Sequence, residues 1–103
     1  DGETSLNIKK RVDMARQIQK KRFEKLPFKT NSEMTSEVVK KFCTVDNTST
    51  QLLKNAVNNM HLSARAYYRV LKLSRTMADI ENSEKILSKH VASALNFRMQ
   101  KEY

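Results

Sequence analysis

The sequence predicts an all-α domain, a small bundle of four to five helices. Its 103 residues include one glycine and one proline, too few for the turns that join the strands of a β-rich fold. Apolar residues recur at helical spacing, and serine, threonine or aspartate precedes most of these stretches, where helix N-caps are expected. We therefore expect a single helical domain over residues 1–103.

The first predicted helix covers residues 1–24 and is strongly basic. Thr4 or Ser5 is its expected N-cap. Gln19 lies at the centre of its apolar face, where a buried amide would need a hydrogen-bond partner. Eight Lys or Arg residues fall within 9–25, a pattern typical of a solvated helix surface, with a nucleic-acid-binding face as the alternative. The apolar face is formed by Ile8, Val12, Ala15 and Phe23, with Ile18 at its edge.

Residues 25–34 are predicted to be a linker, because they contain Pro27 and a run of small polar residues. Residues 35–103 then form the main bundle. Its first helix is short, begins at Thr35 or Ser36 and ends near Cys43. This cysteine is the only one in the chain, so no disulfide is expected, and the predicted role of Cys43 is that of a small, inert, buried residue.

The third predicted helix begins at Asp46 or Thr48. Its apolar stripe consists of Leu52, Leu53, Ala56, Val57 and Met60. Only His61 and Leu62 separate this helix from the next one, so we expect the two helices to pack as near neighbours.

The central predicted helix lies within residues 62–82 and has Ser63 as its expected N-cap. One face should build the core: Ala66, Tyr67, Val70, Leu73, Ser74, Met77, Ala78 and Ile80. The opposite face should expose a row of mostly cationic side chains: Arg65, Tyr68, Arg69, Lys72, Arg75, Thr76 and Asp79. Arg65 lies in the first turn, where unpaired N–H groups already carry partial positive charge, so a bound anion would stabilise it there. The alternative is a solvated basic face with no ligand.

The last predicted helix follows a connector anchored by Ile86. Ser88 is its expected N-cap. Its inner face is predicted to contain Val91, Ala94, Leu95 and Arg98.

The composition limits the chemistry that this chain can perform. Its formal net charge of +9 suits an anionic partner such as a nucleotide, a nucleic acid or an acidic protein. With one glycine, no phosphate-binding loop can be built, so the chain alone is not expected to be an enzyme. His61 and His90 are expected at the surface or its boundary, without a metal site. No membrane span is visible, the expected location is cytoplasmic, and the start at Asp1 suggests a fragment of a longer protein.

The central helix carries a family resemblance. Leu62 to Tyr67, then Arg69, Leu71-Lys72 and the run Arg75 to Asp79, resemble the C-terminal segment of the magnesium chelatase-like AAA+ ATPases, in the ComM/YifB-type subfamily. In that family the segment is a helical lid beside the nucleotide. The arginine of its Ser-x-Arg motif is the sensor 2 residue that contacts the phosphates, and the resemblance gives this role to Arg65.

The resemblance implies a lid that completes the nucleotide site of an upstream P-loop core and couples ATP hydrolysis to ring motion, in DNA processing or competence. ATP and Mg would then be cofactors of the full-length protein alone. Its partners would be the upstream core, the other subunits of a ring homo-oligomer and, as a candidate, DNA. Contacts with the core or a neighbouring subunit would involve Arg11, Arg16, Gln19, Arg22, Arg69 and Arg75.

Two other classes of function remain open. The main alternative is a free-standing basic helical module that binds nucleic acid through phosphate contacts. A protein-interaction domain is the third.

Overall fold

The computed structural model describes residues 4–101, and their side chains as far as residue 97. It contains five α-helices: α1 (Ser5–Arg22), α2 (Ser36–Phe42), α3 (Asn47–Met60), α4 (Ala64–Ile80) and α5 (Ser88–Lys101). A short 3₁₀ turn, Asn31–Glu33, lies between α1 and α2. Within the described chain, β-pairing is limited to one parallel bridge between Val45 and Ile86. The predicted all-α bundle is confirmed.

Four helices begin where local sequence predicts. A side-chain oxygen of Thr4, Thr35, Asp46 or Ser63 accepts the backbone N–H three residues further on, which satisfies one of the unpaired amides of the first turn. At the other end of α3, His61 adopts a left-handed conformation with φ of 54° and ends the helix.

The start of α5 differs from the prediction. Ser88 is the first helical residue and not the N-cap. The imidazole of His90 accepts the Leu87 N–H through Nδ1 at 2.9 Å, and its Nε2 lies 2.8 Å from Oε1 of Glu81. His90 is buried, with 3% of its surface exposed, so the expectation that it lies at the surface or its boundary is wrong. The reason is that its ring bonds to Glu81, the C-cap residue of α4, and itself accepts the backbone N–H that precedes α5.

Helix α4 is the centre of the bundle, because α5, α1 and α2 all pack against it. Helix α3 packs mainly against α5, so the predicted α3–α4 pairing is wrong. A two-residue connection brings the ends of two helices together, but it does not determine which sides they bury. The buried core combines residues from α2, α3, α4 and α5, among them Val39, Leu53, Val70 and Val91, with Phe23, the C-cap residue of α1.

The expected cationic row on α4 is only partly exposed. Arg75 and Asp79, two members of that row, are buried, with 5% and 1% of their surfaces accessible. The C-terminal half of α1 covers them, together with the segment around Asn31, which is itself buried. The prediction was wrong at Arg75 because helical periodicity places charged residues on the solvent side and does not show that another helix covers that side. None of the described helices is both long and apolar enough to cross a membrane.

Candidate functional site

A groove with a volume of about 1020 Å³ lies along the N-terminal half of α4. Three cations spaced about one turn apart line it: Arg65, Arg69 and Lys72. The remaining lining is a mixture of hydroxyl groups and apolar or aromatic side chains, namely Ser32, Ser36, Ser63, Ala66, Tyr68, Val70, Leu73, Thr76 and Phe97. The groove therefore combines positive charge with hydrogen-bond donors, which suits an anion.

Arg65 is exposed and is the second residue of α4. Ser63 Oγ accepts the N–H of Ala66 at 3.1 Å, so the cap uses one first-turn amide and leaves others directed out of the helix end. Among the described residues, none accepts a hydrogen bond from the Arg65 guanidinium. This side chain and the helix end can therefore reach the same anion.

The other two cations of the groove differ in their surroundings. Lys72 Nζ donates to the backbone carbonyl of Ser32 at 3.1 Å, which ties the segment after α1 to the face of α4. Arg69 is exposed and lies one turn from Arg65. Lys72 therefore stabilises one side of the groove, and the exposed Arg69 side chain is available to contact a ligand.

Beyond the groove, the same face of α4 carries a buried ionic cluster. Asp79 Oδ2 and Oδ1 accept hydrogen bonds from Arg22 Nη1 at 2.9 Å and Nη2 at 2.7 Å. Arg75 Nε, one turn earlier on α4, donates to Oδ1 at 3.2 Å. One buried carboxylate thus faces two guanidinium groups, which compensates for the removal of its charge from water.

Asn31 joins this cluster to α1 and α4 through four hydrogen bonds. Its Oδ1 accepts from Arg22, and its Nδ2 donates to Asp79 Oδ2 at 2.9 Å and to Thr76 Oγ1 at 3.0 Å. Its backbone N–H donates to Oε1 of Gln19 at 3.0 Å. The buried amide of Gln19 therefore has the partner that its position in an apolar stripe required.

Arg75 also closes the end of α4. Its Nη2 and Nη1 donate to the carbonyls of Ser83 at 2.8 Å and Glu84 at 3.1 Å. Burial lowers the pKa of Arg75, and the charge of Asp79 opposes this effect. Asp79 therefore offsets part of the cost of burying this cation.

The predicted site residues separate into three groups. Arg65 and Arg69 lie in the groove, Arg11 and Arg16 are exposed on α1, and Gln19, Arg22 and Arg75 hydrogen-bond within the chain. Asn31, which sequence reasoning placed in a linker, was missed. The unpaired amide expected at Gln19 was the one signal that a partner had to come from elsewhere in the chain.

Cys43 is buried at the end of α2, as predicted. Burial raises the pKa of its thiol to about 11. At neutral pH the sulfur is a thiol and not a thiolate, so Cys43 is not a nucleophile.

A known family model matches nearly the whole chain. Residues 2–98 match the model described as "Magnesium chelatase, subunit ChlI C-terminal". The chain is 36% identical over 97 residues to the competence protein ComM of Haemophilus influenzae, an alignment that covers 94% of this chain and 18% of ComM. It is also 36% identical to YifB of Escherichia coli, an uncharacterized protein, with the same coverage. An uncharacterized protein of Mycobacterium bovis is 28% identical over 98 residues, covering 95% of this chain and 20% of its own length. The chain thus spans about a fifth of these relatives.

Proposed function

Because the chain belongs to the family of magnesium chelatase ChlI C-terminal domains, as its central helix predicted, we propose that it acts as the lid of an AAA+ ATPase. In this proposal Arg65 is the sensor 2 residue and donates hydrogen bonds to the phosphates of ATP. The P-loop and the Mg site belong to an upstream core of the same protein. The lid reports the state of the nucleotide to neighbouring subunits of a ring.

The position of Arg65 carries this proposal. Its guanidinium lies at the N-terminal end of α4, is exposed, and lines a groove that is rich in cations and hydroxyl groups. A phosphate there would receive charge-assisted bonds from the side chain and the helix amides together. An action on DNA, in competence or another process, is a further part of the proposal, supported by the name of the ComM relative and by the net charge of +9.

The test uses the longer protein that contains this chain and its ATPase core. Arg65→Ala should weaken ATP binding, hydrolysis or both by at least about tenfold, since each lost charge-assisted bond contributes roughly 1.5–3 kcal/mol. Arg65→Lys should recover only part of the loss, because an ammonium group lacks the planar fork of a guanidinium.

Lys54→Ala is the matched control, since Lys54 is an exposed cation on α3 outside the groove. It should leave nucleotide binding unchanged. Wild-type binding and turnover in Arg65→Ala would remove the sensor assignment. A large fall in the melting temperature of Arg65→Ala would show that this arginine stabilises the fold instead.

A nucleic-acid-binding module is the rival function, and the surface of α1 is the observation that favours it. Lys9, Lys10, Arg16, Lys20 and Lys21 are all exposed there. Binding through them would be insensitive to base sequence and would weaken steeply with salt. Fluorescence anisotropy of the chain with two unrelated DNA duplexes, titrated with NaCl, tests this. Similar affinity for both duplexes, falling steeply as NaCl is added, would support the rival, and no binding to either duplex at low salt would remove it.

A further inference from the structure

The angle between α1 and α4 is fixed by polar contacts in addition to apolar packing. Arg22 stands at the last position of α1 and pairs through two nitrogens with both oxygens of Asp79 near the end of α4. A two-pronged guanidinium–carboxylate pair constrains orientation as well as distance. Arg75 pairs with Asp79 within α4 itself, so Arg22 is the member of the cluster that reaches across to the other helix.

Asn31 makes this arrangement specific. Its side chain bonds to Arg22 of α1 and to Thr76 and Asp79 of α4, while its backbone N–H bonds to Gln19 of α1. At a different angle between the helices, several of these buried groups would lose their partners, which is costly in the protein interior. The cluster therefore favours one angle between α1 and α4 over slightly larger or smaller angles.

Arg65 lies at the opposite end of α4 from this cluster. Arg65 and Asp79 are fourteen positions apart in the sequence, which corresponds to about 21 Å along the helix axis. A pivot of about 5° at Asp79 would move the start of α4 by about 2 Å over that length. A charge-assisted hydrogen bond tolerates only a few tenths of an ångström, and a misplacement of about 1 Å can reduce a rate on the order of a hundredfold.

We propose that Arg22 and Asn31 are positioning residues, which fix the angle of α4 against α1 and thereby the place at which Arg65 meets a phosphate. The ligand in this inference rests on the function proposed above. The fixed angle between α1 and α4 does not rest on that function, and it can be measured in this chain without a nucleotide.

The first experiment measures the angle without any nucleotide. Spin labels are attached to cysteines at Gln17 of α1 and Ala64 of α4, both exposed, in a Cys43→Ala background. Pulsed electron resonance should give one narrow distance distribution. Arg22→Gln should broaden or shift it by about 2 Å or more, as the pivot argument requires, and Arg22→Lys should give an intermediate width. Circular dichroism establishes that each variant is folded.

Leu53→Ala is the control for general destabilisation, because Leu53 is buried in α3, which packs against α5. Its distance distribution should match that of the unsubstituted background. A distribution in Arg22→Gln identical to that of the background would overturn the inference, whatever the function of the chain. Equal broadening in Leu53→Ala would overturn it too, since the effect would then belong to stability and not to the cluster.

The second experiment uses the longer protein and a slowly hydrolysed ATP analogue with Mg. Arg22→Gln and Asn31→Ala should each weaken binding by at least about tenfold, because both displace Arg65, while Leu53→Ala should not. In an Arg65→Ala background, Arg22→Gln should add no further loss.

The outcomes separate the two proposals. Fully additive losses, or no loss in Arg22→Gln, would overturn the positioning role and leave Arg65 as the sensor. No loss in Arg65→Ala would overturn the sensor assignment and with it the positioning role. The distance measurement would still decide whether the cluster fixes the angle.

Discussion

Replacing Asp79 with alanine should be one of the most damaging single substitutions in this domain. The carboxylate is 1% exposed and accepts hydrogen bonds from Arg22, Arg75 and Asn31. Its removal leaves two guanidinium groups in the interior without an anion. Burial lowers the pKa of Arg75, and the negative charge of Asp79 is the largest effect that raises it again. Breaking a buried pair in this way costs about 3–5 kcal/mol.

That loss is large compared with the total stability of a domain, which is about 5–15 kcal/mol. For a chain near this size, each kcal/mol moves the melting temperature by roughly 4–8 °C, so Asp79→Ala should lower it on the order of 20 °C. Urea unfolding followed by circular dichroism gives the free energy directly.

Asp13→Ala is the matched control, because Asp13 is an exposed acid on α1. It should change the free energy of unfolding by no more than about 0.5 kcal/mol. A loss below about 1 kcal/mol in Asp79→Ala would refute the view that the buried cluster depends on this carboxylate.

Three further substitutions or treatments have defined outcomes. Hydrogen bonds from His90 and Lys89 lower the pKa of Glu81 below its ordinary value of 4.5. Its contribution to the free energy of unfolding is therefore complete above pH 4.5 and is lost as the pH falls through the lower folded-state pKa. In urea unfolding between pH 3 and about 6, the free energy of unfolding of Glu81→Gln should depend less on pH than that of the unsubstituted chain. Cys43, whose buried thiol has a pKa of about 11, should resist iodoacetamide at pH 8 in the folded chain and react once urea unfolds it, as mass spectrometry would reveal. His61→Gly should raise stability by up to about 1 kcal/mol, because glycine adopts the left-handed conformation without a steric cost.

Much of the helical architecture could be predicted from the sequence because its signals are local. Thr35, Asp46 and Ser63 cap their helices through contacts three residues away, and such contacts are visible in a short stretch of sequence. Arg65 in the first turn of α4 could be predicted for the same reason. The family membership followed from one contiguous block of residues on that helix.

The buried cluster could not be predicted because its contacts are remote in sequence. Arg22 lies 57 residues from Asp79, and Asn31 lies 48 residues from it. Periodicity assigned Arg75 and Asp79 to solvent, since a charged residue is seldom buried without a partner. Only the packing of α1 against α4 shows that each of these buried charges has a partner of opposite charge.

The predicted start of α5 was wrong for a related reason. A serine before an apolar run predicts an N-cap at Ser88, but the capping group is the imidazole of His90. That ring is held by Glu81 at the other end of the connector. A cap that depends on a residue of the preceding connector has no short sequence signature.

The most direct test of the lid function is a structure of the longer protein with Mg and a slowly hydrolysed ATP analogue bound. We expect the Arg65 guanidinium within about 2.7–2.9 Å of a phosphate oxygen, with the first turn of α4 directed at the same phosphate group. An occupied nucleotide site in which Arg65 extends into solvent, away from every phosphate, would contradict the proposed function.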